Sequence, residues 1–497
     1  MDRVSRRTLL RTGVGAAAAG AVVAGGPFQG FVALAEGAAR RAPDFRTLRP
    51  IPDLRDGKVR LHLPEGFSYR SFHDTEQPVT LTDGTALPGR HDGMGAFEGP
   101  ANTVLLVRNH EINHSTPPTR AFGPGAPYDA NAGGGTTTIQ VTRHGEVVRS
   151  FTSLNGTLTN CSGGEMPWGA WVTCEETVNG PDVGPDFMRN SNVSLQQRHG
   201  YVFEVPASRF PGDGQASREP IRSAGRFAHE AVSLDPEAGH LYLTEDDFAF
   251  ASGFYRYRPP TNPMASGELE DGGTLQMLKI AGTDNAHLEG VQVAGTTYPV
   301  EWVDIADPDP EYPYTPGVEP TTPNDTALTH VARQGWAQGA AYFSRLEGQV
   351  YDDGVIYFTS TQGGGSPETG TANPAGYGRG SGQVWAYDTR AATLRVVFQS
   401  DGPLTLDLPD NITTSPRGTL VVCEDNVADN YVRGLTTDGD IFDIALNRLV
   451  SSSGTPRFND EFAGSCFSPD GHTLFVNIQA SRGITFAIWG PWPSIGV

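Results

Sequence analysis

The chain has 497 residues, 37% of them hydrophobic and 19% charged, with a formal net charge of −21. This is enough apolar material for a large core, and the 61 glycines and 38 prolines supply the turns of a many-stranded protein. The acidic balance argues against nucleic-acid binding and against binding to anionic membranes, and an anionic substrate would need bound cations to reverse the local potential.

The N-terminus predicts an export signal. Ser5–Arg11 contains a twin-arginine pattern, residues 12–26 are mildly apolar, and Ala33-Leu34-Ala35 is a cleavage site. Residues 1–35 are therefore predicted to be a signal peptide that the twin-arginine machinery recognises. A membrane anchor is the alternative, but the apolar run is shorter than the roughly 20 residues that a span needs. We expect a periplasmic or extracellular protein with no stable membrane association after cleavage.

Residues 36–497 are predicted to form a single domain, because related segments recur evenly along them. Val59–Leu63 is a predicted strand near its start. The pattern is interrupted at about 259–330, where residues 304–325 are rich in proline and acid, as is typical of a surface insertion. We expect a monomer.

The recurring segment is a β-hairpin that begins and ends with polar or acidic residues. Its copies begin at Asp92, Asn160, His229, Arg345, Asp410 and Glu461, and their second strands end near Glu111, Glu175, Asp246, Thr359, Asp425 and Gln479.

A third short strand is predicted after each hairpin. These strands cover residues 136–141, 201–205, 254–257, 383–387, 431–434 and 485–489. Repeated antiparallel units without sustained helical periodicity predict an all-β fold, a six-bladed β-propeller with loop and helical insertions. One end of every innermost strand would then face the central channel with Glu, Asp, Asn or Cys. Because such a ring of negative side chains repels itself, we expect cations there.

All four cysteines, Cys161, Cys174, Cys423 and Cys466, lie in the hairpins. In an exported protein they would ordinarily form disulfides, and a Cys161–Cys174 bridge across one hairpin is possible. The alternative is metal ligation, which the Cys-Glu-Glu and Cys-Glu-Asp-Asn contexts favour.

Several of these segments resemble the PhoX-type alkaline phosphatases. The resemblance rests on NCSGGEMPWGAWVTCEET (160–177), RFAHE (226–230), RLEG (345–348), CEDN (423–426) and SPDGHTLFVNIQ (468–479), and it extends from about Arg55 to the C-terminus. It implies a six-bladed propeller that carries two ferric ions, several calcium ions and a bridging oxo group, and that hydrolyses phosphomonoesters outside the cytoplasm.

The resemblance also implies roles for single residues. Cys174, Glu230 and Glu347 would be iron-side ligands, and Arg345 would contact the substrate phosphate. The calcium ligands would come from the remaining acids, which are Glu175 or Glu176, Glu245, Asp246, Glu424, Asp425 and Glu461.

The residue chemistry agrees with this interpretation. Thiolate suits iron, and clustered carboxylates suit calcium. Arg345 and Glu347 are two apart on a predicted strand, so they share a face, and one can grip a phosphate oxygen while the other holds a metal. The sequence thus predicts hydrolysis of a small phosphate monoester by a metal-bound oxo or hydroxide group, with Arg345 stabilising the phosphoryl group.

Two other functions remain compatible with the sequence. One is a calcium-dependent lactonase or esterase on a six-bladed propeller, which would use fewer acids and no thiolate. The other is a non-catalytic propeller that binds structural calcium.

Overall fold

The computed structural model describes residues 47–114, 116–211, 218–266, 269–367, 373 and 376–497, all within a unit that spans Phe45–Val497. The predicted signal peptide, residues 1–35, lies outside the described residues. Within the described part of the chain, no helix has both the length and the apolar character needed to cross a membrane.

The described chain consists mainly of β-strands, with four short helices and two 3-10 turns. The strands are β1 (Arg49–Pro52), β2 (Val59–Leu63), β3 (Ser68–Phe72), β4 (His91–Glu98), β5 (Thr103–His110), β6 (Gly134–Thr142), β7 (Val147–Thr157), β8 (Asn160–Met166), β9 (Ala170–Glu175), β10 (Val202–Pro206), β11 (His229–Asp235), β12 (His240–Glu245), β13 (Phe254–Arg258), β14 (Thr274–Ile280), β15 (Thr297–Asp304), β16 (Leu346–Asp352), β17 (Val355–Ser360), β18 (Gln383–Asp388), β19 (Thr393–Gln399), β20 (Pro409–Thr414), β21 (Leu420–Glu424), β22 (Tyr431–Leu435), β23 (Ile441–Asn447), β24 (Glu461–Phe467), β25 (Thr473–Gln479) and β26 (Ile484–Trp489). The helices are α1 (Pro263–Ser266), α2 (Asn324–Leu328), α3 (His330–Trp336) and α4 (Trp492–Ile495), and the 3-10 turns are Pro100–Asn102 and Arg222–Ala224.

The strands form five antiparallel sheets in a propeller-like arrangement. Two sheets have four strands (β4-β5-β6-β7 and β24-β25-β26-β3), one has three (β10-β9-β8) and one has six (β1-β2-β23-β22-β21-β20). The fifth has nine strands, because β15 pairs with both β14 and β19 and so joins the meander β11–β14 to the meander β16–β19.

The first strands of the hairpins surround a common centre. In the order β4, β8, β11, β16, β20 and β24, each packs against the next, and β24 packs against β4. Behind them the apolar side chains of successive sheets pack against each other. One such cluster, between the β8–β10 sheet and the β11–β14 meander, includes Val172, Val202, Val232, Leu243 and Tyr255. This wedge-shaped packing explains why the second and third strands are mostly buried.

Both ends of the described chain contribute to the closure of the structure. β3 pairs with β26 from Ser68–Trp489 to Phe72–Thr485. β2 pairs with β23 through Leu61–Asn447 and His62–Leu446. The N-terminal strands are therefore held in place by strands from the last sixty or so residues of the chain.

The predicted all-β class is confirmed, and so are the hairpins and the short third strands, which appear as β6, β10, β13, β18, β22 and β26. Val59–Leu63 is a strand with the predicted bounds. Within the predicted insertion, β14 and β15 belong to the nine-stranded sheet, whereas no strand or helix occurs in the described residues between β15 and α2.

Candidate metal centre and anion site

Each hairpin carries a β-bulge at the same place, close to the start of its first strand. In β11, for example, His229 pairs with Glu245 and Val232 pairs with Leu243, so Glu230 and Ala231 lie opposite the single residue Thr244. The same two-against-one arrangement occurs in β4, β8, β16 and β20, and two residues later in β24. A bulge redirects the side chain of the extra residue. In β4, β8, β11, β16 and β20 the first bulged residues are, in that order, Asp92, Cys161, Glu230, Glu347 and Asp410.

The bulges require close contact between neighbouring first strands. A Cβ atom on Gly348 would lie 2.7 Å from the Cα atom of Asn411, and one on Gly93 would lie 2.5 Å from the Cα atom of Ser162. Glycine at these two positions therefore permits the approach that brings Glu347 and Asp92 to the centre.

The second strand of the hairpin supplies a second set of acids. In four of the hairpins the last residue of this strand turns away from the centre, and the residue that follows it turns inward, as expected from the alternation of side chains in extended chain. The inward residues are Glu111, Glu176, Asp246 and Asp425. Their backbone N–H groups donate to the carbonyl groups of the residues that precede the first strands, which fixes both ends of the hairpin together.

The two sets of side chains line a cavity of about 400 Å³ at the centre of the arrangement. The lining residues are Arg90, Asp92, Glu111, Cys161, Glu176, Glu230, Asp246, Arg345, Glu347, Asp410, Asp425, Asn459, Asp460, Glu461, Gln479 and Ala480. We refer to it as the acidic cavity.

Most of the predicted site residues line the acidic cavity. They are Glu176, Glu230, Asp246, Arg345, Glu347, Asp425 and Glu461. Their assignment as ligands or as a phosphate contact remains a prediction.

Three predicted carboxylate ligands do not line the acidic cavity, and each is the last residue of a second strand. Glu175 accepts a hydrogen bond from His199 Nδ1 at 2.6 Å and others from backbone N–H groups. Glu245 accepts from the Tyr255 hydroxyl at 2.8 Å. Glu424 accepts from Arg433 Nε at 3.0 Å. Because these carboxylates are buried and already paired, they hold the loops behind the cavity.

The thiol at the acidic cavity belongs to Cys161, whereas Cys174 is the predicted ligand. Both cysteines belong to the apolar cluster that contains Val172 and Val202, but Cys174 does not line the cavity. Cys161 and Ser162 lie together in the bulge opposite Cys174, and the bulge directs Cys161 into the cavity. All four cysteines are free, so the possible Cys161–Cys174 disulfide is absent.

The site prediction omitted two of the bulged acids, Asp92 and Asp410. It also omitted Arg90, Glu111 and Gln479, which line the same cavity. The signal was present in the internal repeat. Superposing the hairpins on one another places Cys161 in the position of Glu230 and Asp92 in that of Glu347.

Burial and mutual repulsion disfavour negative charge in the acidic cavity. Burial, together with the neighbouring Glu347, raises the pKa of Glu230 well above its ordinary value. Burial and Asp246 do the same to the pKa of Glu347, and burial and Asp425 raise the pKa of Asp410 to about 7. Asp92, Glu176 and Glu461 have pKa values raised in the same direction by burial and by a neighbouring carboxylate.

Two sets of side chains could each hold a metal ion. One ligand atom from each of Cys161, Glu176 and Glu230 lies within 4.8 Å of the others, and the same holds for Glu230, Glu347 and Asp410. Glu230 belongs to both sets. The first set contains sulfur and suits a soft or borderline metal such as iron or zinc, and the second contains only oxygen and suits calcium. The donor chemistry and the crowding of buried acids therefore fit bound cations.

Arg345 occupies the boundary of the acidic cavity. Its Nε and one terminal nitrogen donate to Asp246 at 3.0 and 2.6 Å, and the terminal nitrogen is 2.9 Å from Glu347. Although burial disfavours its charge, Asp246 and Glu347 raise the pKa of Arg345 well above its ordinary value. A permanent, planar cation is thus fixed beside the predicted metal ligands. Because Asp246 takes the two-pronged face formed by Nε and one terminal nitrogen, an anion would bind through the other terminal nitrogen.

Comparison with known proteins assigns the family. The family model described as alkaline phosphatase PhoX matches residues 47–149 and 145–481. The chain belongs to the PhoX alkaline phosphatase family. The PhoX match covers every bulge and every acid of the cavity, and it supports a phosphatase. No curated protein sequence matches the chain.

A solved structure of another PhoX family member shows the same fold. Pseudomonas fluorescens PhoX, in complex with vanadate, a transition state analogue, is 17% identical, with a TM-score of 0.62 over 90% of this chain and 98% of that one. Two further structures are more distant. Virginiamycin B lyase from Staphylococcus aureus is 11% identical, with a TM-score of 0.38 over 85% of this chain and 99% of that one. A gluconolactonase from Xanthomonas campestris is 13% identical, with a TM-score of 0.32 over 84% of this chain and 97% of that one. Those two scores are too low to bear on the fold or activity.

Proposed function

We propose that this member of the PhoX family is an exported, metal-dependent phosphatase that hydrolyses small phosphate monoesters and releases inorganic phosphate. The observation that carries the proposal is the position of Arg345 beside the carboxylates of the acidic cavity. An arginine guanidinium next to a cation site suits a dianionic phosphate, which binds the guanidinium and the cations together.

The proposed metal ligands follow the two sets of converging side chains. Cys161, Glu176 and Glu230 would hold iron, and Glu230, Glu347 and Asp410 would hold calcium, with Asp92, Asp425 and Glu461 available for further calcium ions. When bound, such ions supply Lewis acidity and lower the pKa of bound water. Two ferric ions, several calcium ions and a bridging oxo group remain the expectation from the family resemblance.

The protein's own residues would position the phosphoryl group. Arg345 is held in place by Asp246, so its guanidinium is fixed before substrate arrives, and the other terminal nitrogen is left to donate to a phosphate oxygen. It would stabilise the charge on the equatorial oxygens during transfer. Removal of one such donor typically costs about 10²–10³ in rate.

The blade count, the export route and the oligomeric state also form part of the proposal. Counting the nine-stranded sheet as two blades gives a six-bladed propeller, with β4, β8, β11, β16, β20 and β24 as innermost strands. The twin-arginine leader supports export to the periplasm or beyond, and we expect the exported protein to be a monomer.

The proposal is tested on protein that is exported with its own leader and then purified without chelators. We expect iron and calcium by elemental analysis, release of phosphate from p-nitrophenyl phosphate, and no hydrolysis of a lactone. Arg345→Ala should lower kcat/KM by about 10²–10³ while retaining the metals, because it is not a ligand.

Two results would contradict the proposal. Calcium without iron, accompanied by lactone hydrolysis, would indicate a lactonase. Bound calcium without turnover of either substrate would indicate a binding protein.

Arg345→Lys serves as the matched variant for Arg345→Ala, since it keeps the positive charge but not the planar geometry of the guanidinium.

A further inference from the structure

The acidic cavity has almost no apolar wall. Apart from Cys161 and Ala480, its lining residues all carry charged or amide side chains. A phosphoryl group suits such a wall, but the alcohol part of a phosphate ester does not, because buried charges bind apolar groups poorly. The alcohol part must therefore lie toward the opening.

An aromatic side chain lies beside the arginine at that edge. Phe248 follows the cavity residue Asp246 by two positions, and its ring centre is 5.7 Å from Cζ of Arg345. The residue is 49% exposed. This distance is within the range of cation–π contacts. Phe248 thus touches the same side chain that we assign to phosphate binding, yet it is not part of the cavity wall.

The backbone around Phe248 is fixed on both sides. The Asp247 carboxylate accepts hydrogen bonds from the N–H groups of Ala249 and Phe250 at 3.0 and 3.2 Å, which forms a tight turn. The Phe248 carbonyl accepts from the Tyr377 N–H at 2.8 Å, and the next side chain but one, Phe250, is buried. The exposed ring is therefore presented by an anchored turn.

We infer that Phe248 is a specificity-determining residue that packs against the alcohol group of the substrate and favours aromatic over small polar phosphate esters. This inference rests on the proposed phosphatase function. An aryl group bound through a phosphate at Arg345 would find the Phe248 face next to it, and aromatic pairs of this kind favour offset or edge-to-face contact.

The test compares Phe248→Ala with Phe187→Ala, a matched variant at a phenylalanine that is 87% exposed and lies outside the acidic cavity. Phosphate release is measured with phenyl phosphate and with ethyl phosphate. Phe248→Ala should lower kcat/KM for phenyl phosphate by roughly three- to tenfold, mainly through KM, and should change the value for ethyl phosphate less than about twofold. Phe187→Ala should change neither. Phe248→Trp should retain the preference.

Binding provides a second readout that needs no turnover. Calorimetry should show that Phe248→Ala loses affinity for phenylphosphonate by a similar factor and keeps its affinity for methylphosphonate. Equal losses for both ligands would overturn the inference, because Phe248 would then only support Arg345. No change in affinity for either ligand would also overturn it. If the unmodified protein releases phosphate from neither ester and binds neither phosphonate, the proposed function itself fails and this inference with it.

Discussion

At the scale of single residues, the choice between adjacent side chains decides the site. Glu175 and Glu176 are neighbours, yet Glu175 is paired with His199 and Glu176 lines the acidic cavity. Although burial opposes charge on His199, Glu175 and Asp129 raise its pKa to about 9, so His199 is protonated near neutral pH. The outward acids are therefore structural, and the inward acids face the cavity, where cations could bind.

The two cysteines of the second hairpin should differ in the same way. Cys161→Ser should reduce bound iron and phosphatase activity together, because the sulfur at the cavity is replaced by a poorer iron ligand. Cys174→Ser should retain the iron and instead lower the free energy of unfolding by about 1–3 kcal/mol, since a hydroxyl replaces a buried thiol in an apolar cluster. Elemental analysis and urea unfolding distinguish the two. Iron loss confined to Cys174→Ser would show that the ligand assignment is wrong.

At the scale of elements, the bulge explains what the sequence could and could not predict. The hairpins and third strands were predictable, because apolar runs bounded by turn residues repeat along the chain. Strand periodicity assigns each side chain to a face only while the two strands stay in register. The bulge breaks the register between Asn160 and Gly163, so alternation counted along the hairpin could not place Cys161.

The bulge should fail if its glycine is replaced. Gly348→Ala places a Cβ 2.7 Å from the Asn411 Cα, and relief of that clash should cost about 1–3 kcal/mol and displace Glu347. We expect lower stability by urea unfolding and weaker calcium retention during dialysis.

Gly169→Ala is the matched control for that substitution. Gly169 has a φ of +83° and no atom within 4 Å of the added Cβ, so its cost should be about 1 kcal/mol of backbone strain without a clash. Its calcium retention should equal that of the unmodified protein. If Gly348→Ala behaves the same way, the close approach of the strands is not needed for the site.

At the scale of the whole molecule, cations and carboxylates are coupled to folding. The chain has a net charge of −21, and much of its buried acid converges on one cavity. Without cations, these acids repel each other from neighbouring sheets and oppose closure of the arrangement. Cation binding should therefore stabilise the fold as a whole.

Removal of the metals should reveal the sign of this coupling. For Asp410 the ordinary pKa is 3.8 and the folded value is about 7, so the folded chain binds more protons between these values. Stability of the metal-free protein should fall as the pH rises from about 4 to about 7 and should stay low above that range. Thermal unfolding of chelator-treated protein measures this fall, and Asp410→Asn should reduce it. Restored calcium should abolish it, and a metal-free protein that gains stability over the same range would contradict the prediction.

The pairing of β3 with β26 has a consequence for biosynthesis. Ser68–Phe72 leaves the ribosome long before its partner Ile484–Trp489. β3 therefore remains without its partner strand until residues 484–489 have been synthesised, and a nascent fragment that lacks them cannot form the β3–β26 pairing. Deletion of residues 484–497 would leave β3 without a partner in its sheet.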